Sequence, residues 1–166
     1  MKRPNILLLM ADQLTPGFLP CYGNRFVQAP ALTALAAEGV VFDAAYCNFP
    51  ICAPSRYSML AGRLPHAIDA FDNATAFASE IPTIPHYLSA AGYRSILSGK
   101  MHFVGADQLH GYAERLTTDI YPAEFLWVPD WSKSPAESKP TGVGMGHVVD
   151  AGPSLRNMQI DYDEEV

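Results

Sequence analysis

Short apolar runs alternate with helical stretches through the first hundred residues, and this order constrains the fold more than any other feature. Residues 5–10 are apolar on both faces, as in a buried parallel strand. A helical stretch opens at Pro30 and ends at Gly39, and a second strand is predicted at 40–42. The β-α-β order predicts an α/β fold in which helices cover the faces of a sheet.

Two further helices and one strand are expected downstream. Pro54 lies where the first turn of a helix tolerates proline, and Gly62 closes that helix. Residues 83–91 predict another helix, which ends before the strand predicted at 93–98. The last third of the chain differs, since proline and glycine interrupt every periodic segment. Residues 132–153 are therefore predicted to form a long loop, of the kind that often lies near a substrate site.

Composition narrows the classes of function. Hydrophobic residues make up 49% and charged residues 17%, which is typical of a globular chain. The formal charge is −6 with no basic run, so a nucleic-acid partner is not expected. No stretch approaches the ~20 apolar residues of a membrane helix, and the run at 6–10 is too short for a signal sequence. We expect no membrane partner and a cytoplasmic location.

Candidate functional residues lie at the ends of predicted strands or at the start of a predicted helix. Asp12 and Gln13 come after the first strand, Cys52 opens the Pro54 helix, and a Lys-Met-His run at 100–102 comes after the third. Because ligands of open α/β sheets bind at the carboxyl ends of the strands, these positions are expected to converge. The carboxylate of Asp12 and the amide oxygen of Gln13 are hard ligands that suit Ca²⁺, Mg²⁺ or Mn²⁺.

The residues around Cys52 form a specific motif. Residues 52–56 read Cys-Ala-Pro-Ser-Arg, and residues 60–63 read Leu-Ala-Gly-Arg. A lone cysteine is usually a buried, inert thiol, but the full run resembles the signature of type I, formylglycine-dependent sulfatases. This family belongs to the alkaline-phosphatase-like superfamily, so the resemblance implies an α/β sandwich with a central, mostly parallel sheet.

The resemblance implies a modified nucleophile at Cys52. In the family a separate formylglycine-generating enzyme oxidises this cysteine to formylglycine. One hydroxyl of the hydrated aldehyde attacks sulfur and expels the alcohol, and elimination of the covalent sulfate regenerates the aldehyde. Arg56 would hold the formylglycine hydroxyls or a sulfate oxygen. Lys100 would neutralise the sulfate charge, and His102 would bind or deprotonate the diol. Without the motif, a surface lysine beside a structural histidine would be the simpler interpretation.

The resemblance also implies a divalent metal ion, with Ca²⁺ favoured over Mg²⁺ and Mn²⁺. Asp12, Gln13 and the modified Cys52 would bind the ion. Many family members carry two adjacent aspartates here, so the Asp-Gln pair matches only in part, and a strand-ending turn is the alternative. The Asp-Gln version resembles phosphonate monoester hydrolases and choline-sulfatases.

Residues 98–122 are similar to the choline-sulfatase branch of the family. In that branch an amide like that of Asn73 binds the sulfate, and an aromatic residue like Trp127 lines the choline site. Lys100 and His102 would also contact the substrate. A trimethylammonium group over an indole face gains about 0.5–2 kcal/mol. The alternatives are a turn asparagine and a packing tryptophan.

The expected function is hydrolysis of a small sulfate ester, choline sulfate first. Phosphonate or phosphate monoester hydrolysis on the same scaffold is the alternative within enzymes, and a non-catalytic remnant is the alternative outside them. Residues 1–166 are expected to be the N-terminal part of a sulfatase catalytic domain. The second metal-binding pair of the family is not recognised here, so the isolated chain is expected to be inactive. The full-length form is expected to be a homo-oligomer.

Overall fold

The computed structural model describes residues 3–119, 132–134, 137 and 158–166. Two compact units divide the chain, Met1–Tyr46 and Cys47–Val166. The predicted loop at 132–153 lies almost wholly outside the described residues.

The N-terminal unit contains one α-helix and two 3₁₀ turns. The turns are Pro16–Phe18 and Pro20–Tyr22, and helix α1 is Pro30–Glu38. Proline stands at the first position of α1, where its missing N–H costs nothing and its fixed φ suits the helix. The helix predicted from Pro30 to Gly39 is confirmed.

The two strands predicted in the N-terminal unit are wrong for the described structure. Residues 5–10 and 40–42 have no regular secondary structure, and among the described residues they pair with no strand. The side chains of Leu7 and Leu9 are 81% and 75% exposed. An apolar pattern shows that a segment would be stabilised by burial, but it does not supply the neighbouring strand that buries it.

The C-terminal unit has a parallel strand pair with helices around it. Its described elements are α2 (Cys52–Ala61), the 3₁₀ turn Pro65–Ala67, α3 (Ile84–Ala90), β1 (Ile96–Leu97), β2 (Glu114–Arg115) and α4 (Met158–Glu165). Strands β1 and β2 are parallel, with Ile96 opposite Glu114. The helices predicted at Pro54 and at 83–91 are confirmed, and β1 lies inside the strand predicted at 93–98. None of the described helices is long and apolar enough to cross a membrane.

Helix α2 begins and ends where local chemistry requires. Pro54 lies in the first turn, where a backbone N–H would have no helical acceptor. Gly62 follows the last residue in a left-handed conformation with φ +62°, and its N–H donates to Ser58 O. The helix is therefore fixed at both ends, and its inner face is buried in the core of this unit.

Aromatic rings form the centre of that core. Tyr57 of α2 stacks on Phe77 with ring centroids 4.4 Å apart. The imidazole of His110 is buried between Phe77 and Phe103, with its centroid 4.5 Å from each. Phe103 follows β1 by a few residues, so the core joins α2 to the segment that leaves the strand pair.

Replacing Gly111 with alanine is expected to destabilise this unit more than the same change at Gly62. Both glycines have positive φ, which costs an alanine about 1–2 kcal/mol. At Gly111 an added Cβ would also lie 2.6 Å from His86 Nδ1, whereas nothing lies within 4 Å at Gly62. The clash should add about 1–3 kcal/mol. Urea unfolding measures both variants, and equal losses would contradict this packing.

Candidate active site

The first turn of α2 brings Cys52 to a lysine from another part of the chain. Cys52 is the first residue of the helix and is a half-buried free thiol. Lys100 Nζ lies 3.4 Å from its Sγ. The two residues are 48 positions apart, and the loop that follows β1 brings them together. Residues 99–104, which we call the 99–104 loop, carry this lysine.

His102 lies two residues further along the 99–104 loop and is buried. Its Nε2 is 3.0 Å from Asn73 O. Burial, followed by the positive charge of Lys100, holds the pKa of His102 below its ordinary value of 6.5. Arg56 adds to this lowering, while the contact with Asn73 and the charge of Asp119 oppose it. The imidazole is therefore neutral at pH 7 and able to accept a proton.

Asn73 connects the histidine to the start of α2. Its Oδ1 accepts a hydrogen bond from Ala53 N at 3.0 Å. The N–H of Ala53 lies in the first turn of the helix and has no acceptor within it, so without this bond it would need a ligand or water. The next residue, Pro54, has no N–H to satisfy. The side chain of Asn73 thus lies against the turn that carries Cys52, while its carbonyl contacts His102.

Arg56 is buried and braces the 99–104 loop from α2. Its Nη1 donates to Lys100 O at 2.6 Å. The same nitrogen approaches Met101 Sδ at 3.9 Å, so the guanidinium contacts two residues of the loop and places its positive charge beside it. The structure shows the bracing contact, which the sequence did not indicate.

Tyr57 of α2 binds the same loop further along the chain, at His102 and Val104. The phenol Oη donates to His102 O at 2.6 Å and accepts from Val104 N at 3.1 Å. Burial is the main reason that the pKa of Tyr57 is raised to about 12. The phenol keeps its proton at neutral pH and remains a donor to the histidine carbonyl.

His102 adopts a backbone conformation that is uncommon for a residue with a side chain. Its φ is +59°, and Gln13 of the N-terminal unit has the same value. Such a conformation costs of order 1–3 kcal/mol and persists only where the surroundings hold it. Hydrogen bonds to the 99–104 loop supply that support at His102. Backbone strain of this kind is found disproportionately at functional sites.

The predicted metal ligands lie on different units. Asp12 and Gln13 are exposed residues of the N-terminal unit, and Cys52 belongs to the C-terminal unit. Among the described residues, no group of three or more His, Cys, Asp or Glu could hold a metal ion. The oxygen donors of Asp12 and Gln13 fit a hard cation by their chemistry, but two residues make only part of a ligand set. Trp127 lies outside the described residues.

Sequence reasoning missed two residues that hold the site from the far side of the loop. Thr117 Oγ1 accepts from Gly99 N at 2.6 Å, and Asp119 Oδ1 accepts from Met101 N at 2.7 Å. Both belong to the segment whose similarity to choline-sulfatases is visible in the sequence. Thr117 and Asp119 are two residues apart, as are the donors Gly99 and Met101. The match is visible only once the pairing of β1 with β2 is known.

Comparison with known proteins identifies the family. The profile of the family described as Sulfatase matches residues 4–159, so the chain belongs to the sulfatase family. It is 48% identical over 164 residues to a choline-sulfatase of Rhizobium meliloti. This match covers 99% of this chain and 32% of the relative. It is 34% identical over 128 residues to the iduronate 2-sulfatase of Mus musculus, covering 75% of this chain and 22% of the relative.

A solved structure supports the fold. It shows an enzyme in complex with its substrate D-glucosamine-2-N,6-O-disulfate, at a TM-score of 0.65 and 35% identity, over 69% of this chain and 23% of that chain. The predicted α/β fold of the sulfatase family, with its parallel sheet, is confirmed. The chain spans about a third of the length of the choline-sulfatase and less than a quarter of the iduronate 2-sulfatase.

Replacing Lys100 with glutamine is expected to raise the pKa of His102, because the lysine charge is the second cause of its lowering after burial. NMR titration of the His102 ring should give a midpoint below 6.5 in the parent protein and a higher one in Lys100→Gln. Lys133→Gln removes the same charge from an exposed lysine and should leave the midpoint unchanged. A parent midpoint at or above 6.5, or no difference at Lys100→Gln, would contradict the described geometry.

Proposed function

We propose that the protein carrying this chain is a sulfuric ester hydrolase that cleaves choline sulfate to choline and sulfate. The observation that carries the proposal is the 3.4 Å contact between Lys100 Nζ and Cys52 Sγ, in a chain of the sulfatase family. A sulfate ester bears one negative charge. An ammonium group beside the nucleophile neutralises part of it and holds the sulfur within reach.

Conversion of Cys52 to formylglycine would provide the nucleophile. The Cys-Ala-Pro-Ser-Arg run supports this proposal, as does the half-exposed position of Cys52 on a rigid helix. When present, formylglycine supplies an aldehyde whose hydrated form carries the attacking hydroxyl. A formylglycine-generating enzyme would carry out the conversion, and we place the protein in the cytoplasm.

The remaining site residues bind the anion and move a proton. His102 is neutral at pH 7 because its pKa is lowered, so it can accept the proton of a hydroxyl at the Cys52 position. The amide NH₂ of Asn73 donates to a sulfate oxygen. Arg56 uses one nitrogen to brace Lys100 O and adds positive charge close to the anion.

A divalent ion, Ca²⁺ in preference to Mg²⁺ or Mn²⁺, would complete the site. Asp12 and Gln13 would contribute hard oxygen ligands, together with the modified Cys52 and ligands from outside the described residues. A bound ion would withdraw charge from the sulfate oxygens. We propose no particular ligand geometry for the ion.

The similarity to a choline-sulfatase over 99% of the chain supports choline sulfate as the substrate. A net charge of −6 is compatible with a ligand that has a cationic head, but it does not require one. Trp127 would stack on the trimethylammonium group. The Asp-Gln pair at 12–13 resembles that of phosphonate monoester hydrolases as well as that of choline-sulfatases, so phosphonate or phosphate monoesters are the second candidate. We further propose that the full-length form is a homo-oligomer.

Replacing Cys52 with alanine is expected to lower the turnover of choline sulfate at least about 1,000-fold, because the nucleophile is lost. The assay uses the full-length protein co-expressed with a formylglycine-generating enzyme. Cys21→Ala is the matched control, since Cys21 is an exposed thiol of the N-terminal unit. Its activity should stay within about twofold of the parent, as for most surface substitutions.

Parallel assays with choline sulfate and a phosphonate monoester distinguish the candidate functions. The proposal expects a higher kcat/KM for choline sulfate than for the phosphonate. The reverse ratio, with activity still dependent on Cys52, would establish the phosphonate alternative. An inactive full-length protein whose Cys52 has been converted would instead indicate a non-catalytic remnant.

A further inference from the structure

The 99–104 loop is held on one side by α2. Arg56 donates to Lys100 O, and Tyr57 donates to His102 O. These bonds fix two carbonyl groups of the loop. Tyr57 also accepts from Val104 N, but neither residue of α2 binds the N–H groups of Gly99 and Met101 in these contacts.

Side chains that follow β2 hold those N–H groups. The parallel ladder of β1 and β2 continues through Leu116 N, which donates to Leu97 O at 2.8 Å. Beyond that bond, Thr117 Oγ1 accepts from Gly99 N and Asp119 Oδ1 accepts from Met101 N. Donors two residues apart meet acceptors two residues apart. The side chains therefore continue the strand pairing past the point where the backbone pairing ends.

Asp119 is itself fixed. Its Oδ2 lies 2.9 Å from Arg115 Nη2, with both side chains only about a tenth exposed, as an ion pair rather than a directed hydrogen bond. Arg115 is held in turn, because its Nε donates to Thr117 O at 3.0 Å and its guanidinium lies 5.7 Å from the centroid of the Phe103 ring. Low exposure limits screening by water, so the pair keeps the carboxylate oriented.

Asp119 binds Met101, which lies between the two site residues of the loop, Lys100 and His102. Met101 follows Lys100 and precedes His102, whose φ is +59°. An unfavourable conformation of this kind persists only where surrounding bonds over-determine it. The bond from Met101 N fixes the residue directly before His102, and the bond from Tyr57 fixes the carbonyl of His102 itself.

We propose that Asp119, oriented by Arg115, is a positioning residue of the active site. Its carboxylate holds Met101 N–H and so sets the directions in which Lys100 and His102 leave the backbone. Asp119 does not touch the substrate, and it acts through those two residues. This inference rests on the proposed function, because it assigns the loop to sulfate ester cleavage.

The test compares Asp119→Ala with Asp119→Asn in the full-length, converted protein. Alanine removes the acceptor, whereas the amide oxygen of asparagine can still accept from Met101 N. We expect kcat for choline sulfate to fall about 10- to 100-fold in Asp119→Ala with KM within about twofold, and asparagine to restore most of kcat. Glu114→Gln is the control, because it removes an exposed ion pair with Arg94 from the neighbouring strand position.

Amide hydrogen exchange at Met101 gives a readout that does not depend on activity. Protection of this N–H should be lost in Asp119→Ala and kept in Asp119→Asn and Glu114→Gln. A lost bond with unchanged kcat would overturn the proposal. Equal loss of kcat in both Asp119 variants would overturn it too, because the hydrogen bond would then not be the cause. If the parent protein has no sulfatase activity, the proposed function fails, while the exchange data still report whether Asp119 holds the loop.

Discussion

The left-handed turn at His102 is the constraint on which the arrangement of the site depends. A residue with a side chain pays for this conformation, and the loop would relax if nothing opposed it. Tyr57 bonds the carbonyl of the turn and Asp119 bonds the preceding N–H, so the turn is fixed on both sides. Because the turn is fixed, Lys100 is directed toward Cys52 and the imidazole is buried against Asn73.

Helix α2 serves the site twice. Its first turn presents Cys52, and its second turn presents Arg56 and Tyr57, which hold a loop 44 to 47 residues further along the chain. Cys52, the proposed nucleophile, and the loop are thereby both fixed to one rigid element, which limits their relative movement. The same packing that buries Tyr57 also keeps its phenol protonated, so the support does not change near neutral pH.

Local signals in the sequence were sufficient where the structure depends on local chemistry. Pro30 and Gly62 mark the ends of helices because they act on their own backbone. The strand predicted at 5–10 failed because pairing needs a distant partner. The bonds from Arg56 and Asp119 to the loop could not be predicted from the sequence for the same reason, because they join distant segments. The motif around Cys52 and the α/β class could be predicted, because they depend on residue types and local patterns. The catalytic, metal-binding and substrate-binding roles given to all the site residues stay predictions, including those of Asp12, Gln13 and Trp127.

Conversion of Cys52 to formylglycine is the central claim, and peptide mass spectrometry tests it most directly. After co-expression with a formylglycine-generating enzyme, trypsin cleavage at Arg25 and Arg56 releases residues 26–56, which contain both Cys47 and Cys52. Fragment ions should place a loss of about 18 Da at Cys52 alone, the mass difference between thiol and aldehyde. An intact thiol at Cys52, under conditions that convert a control sulfatase, would contradict the account.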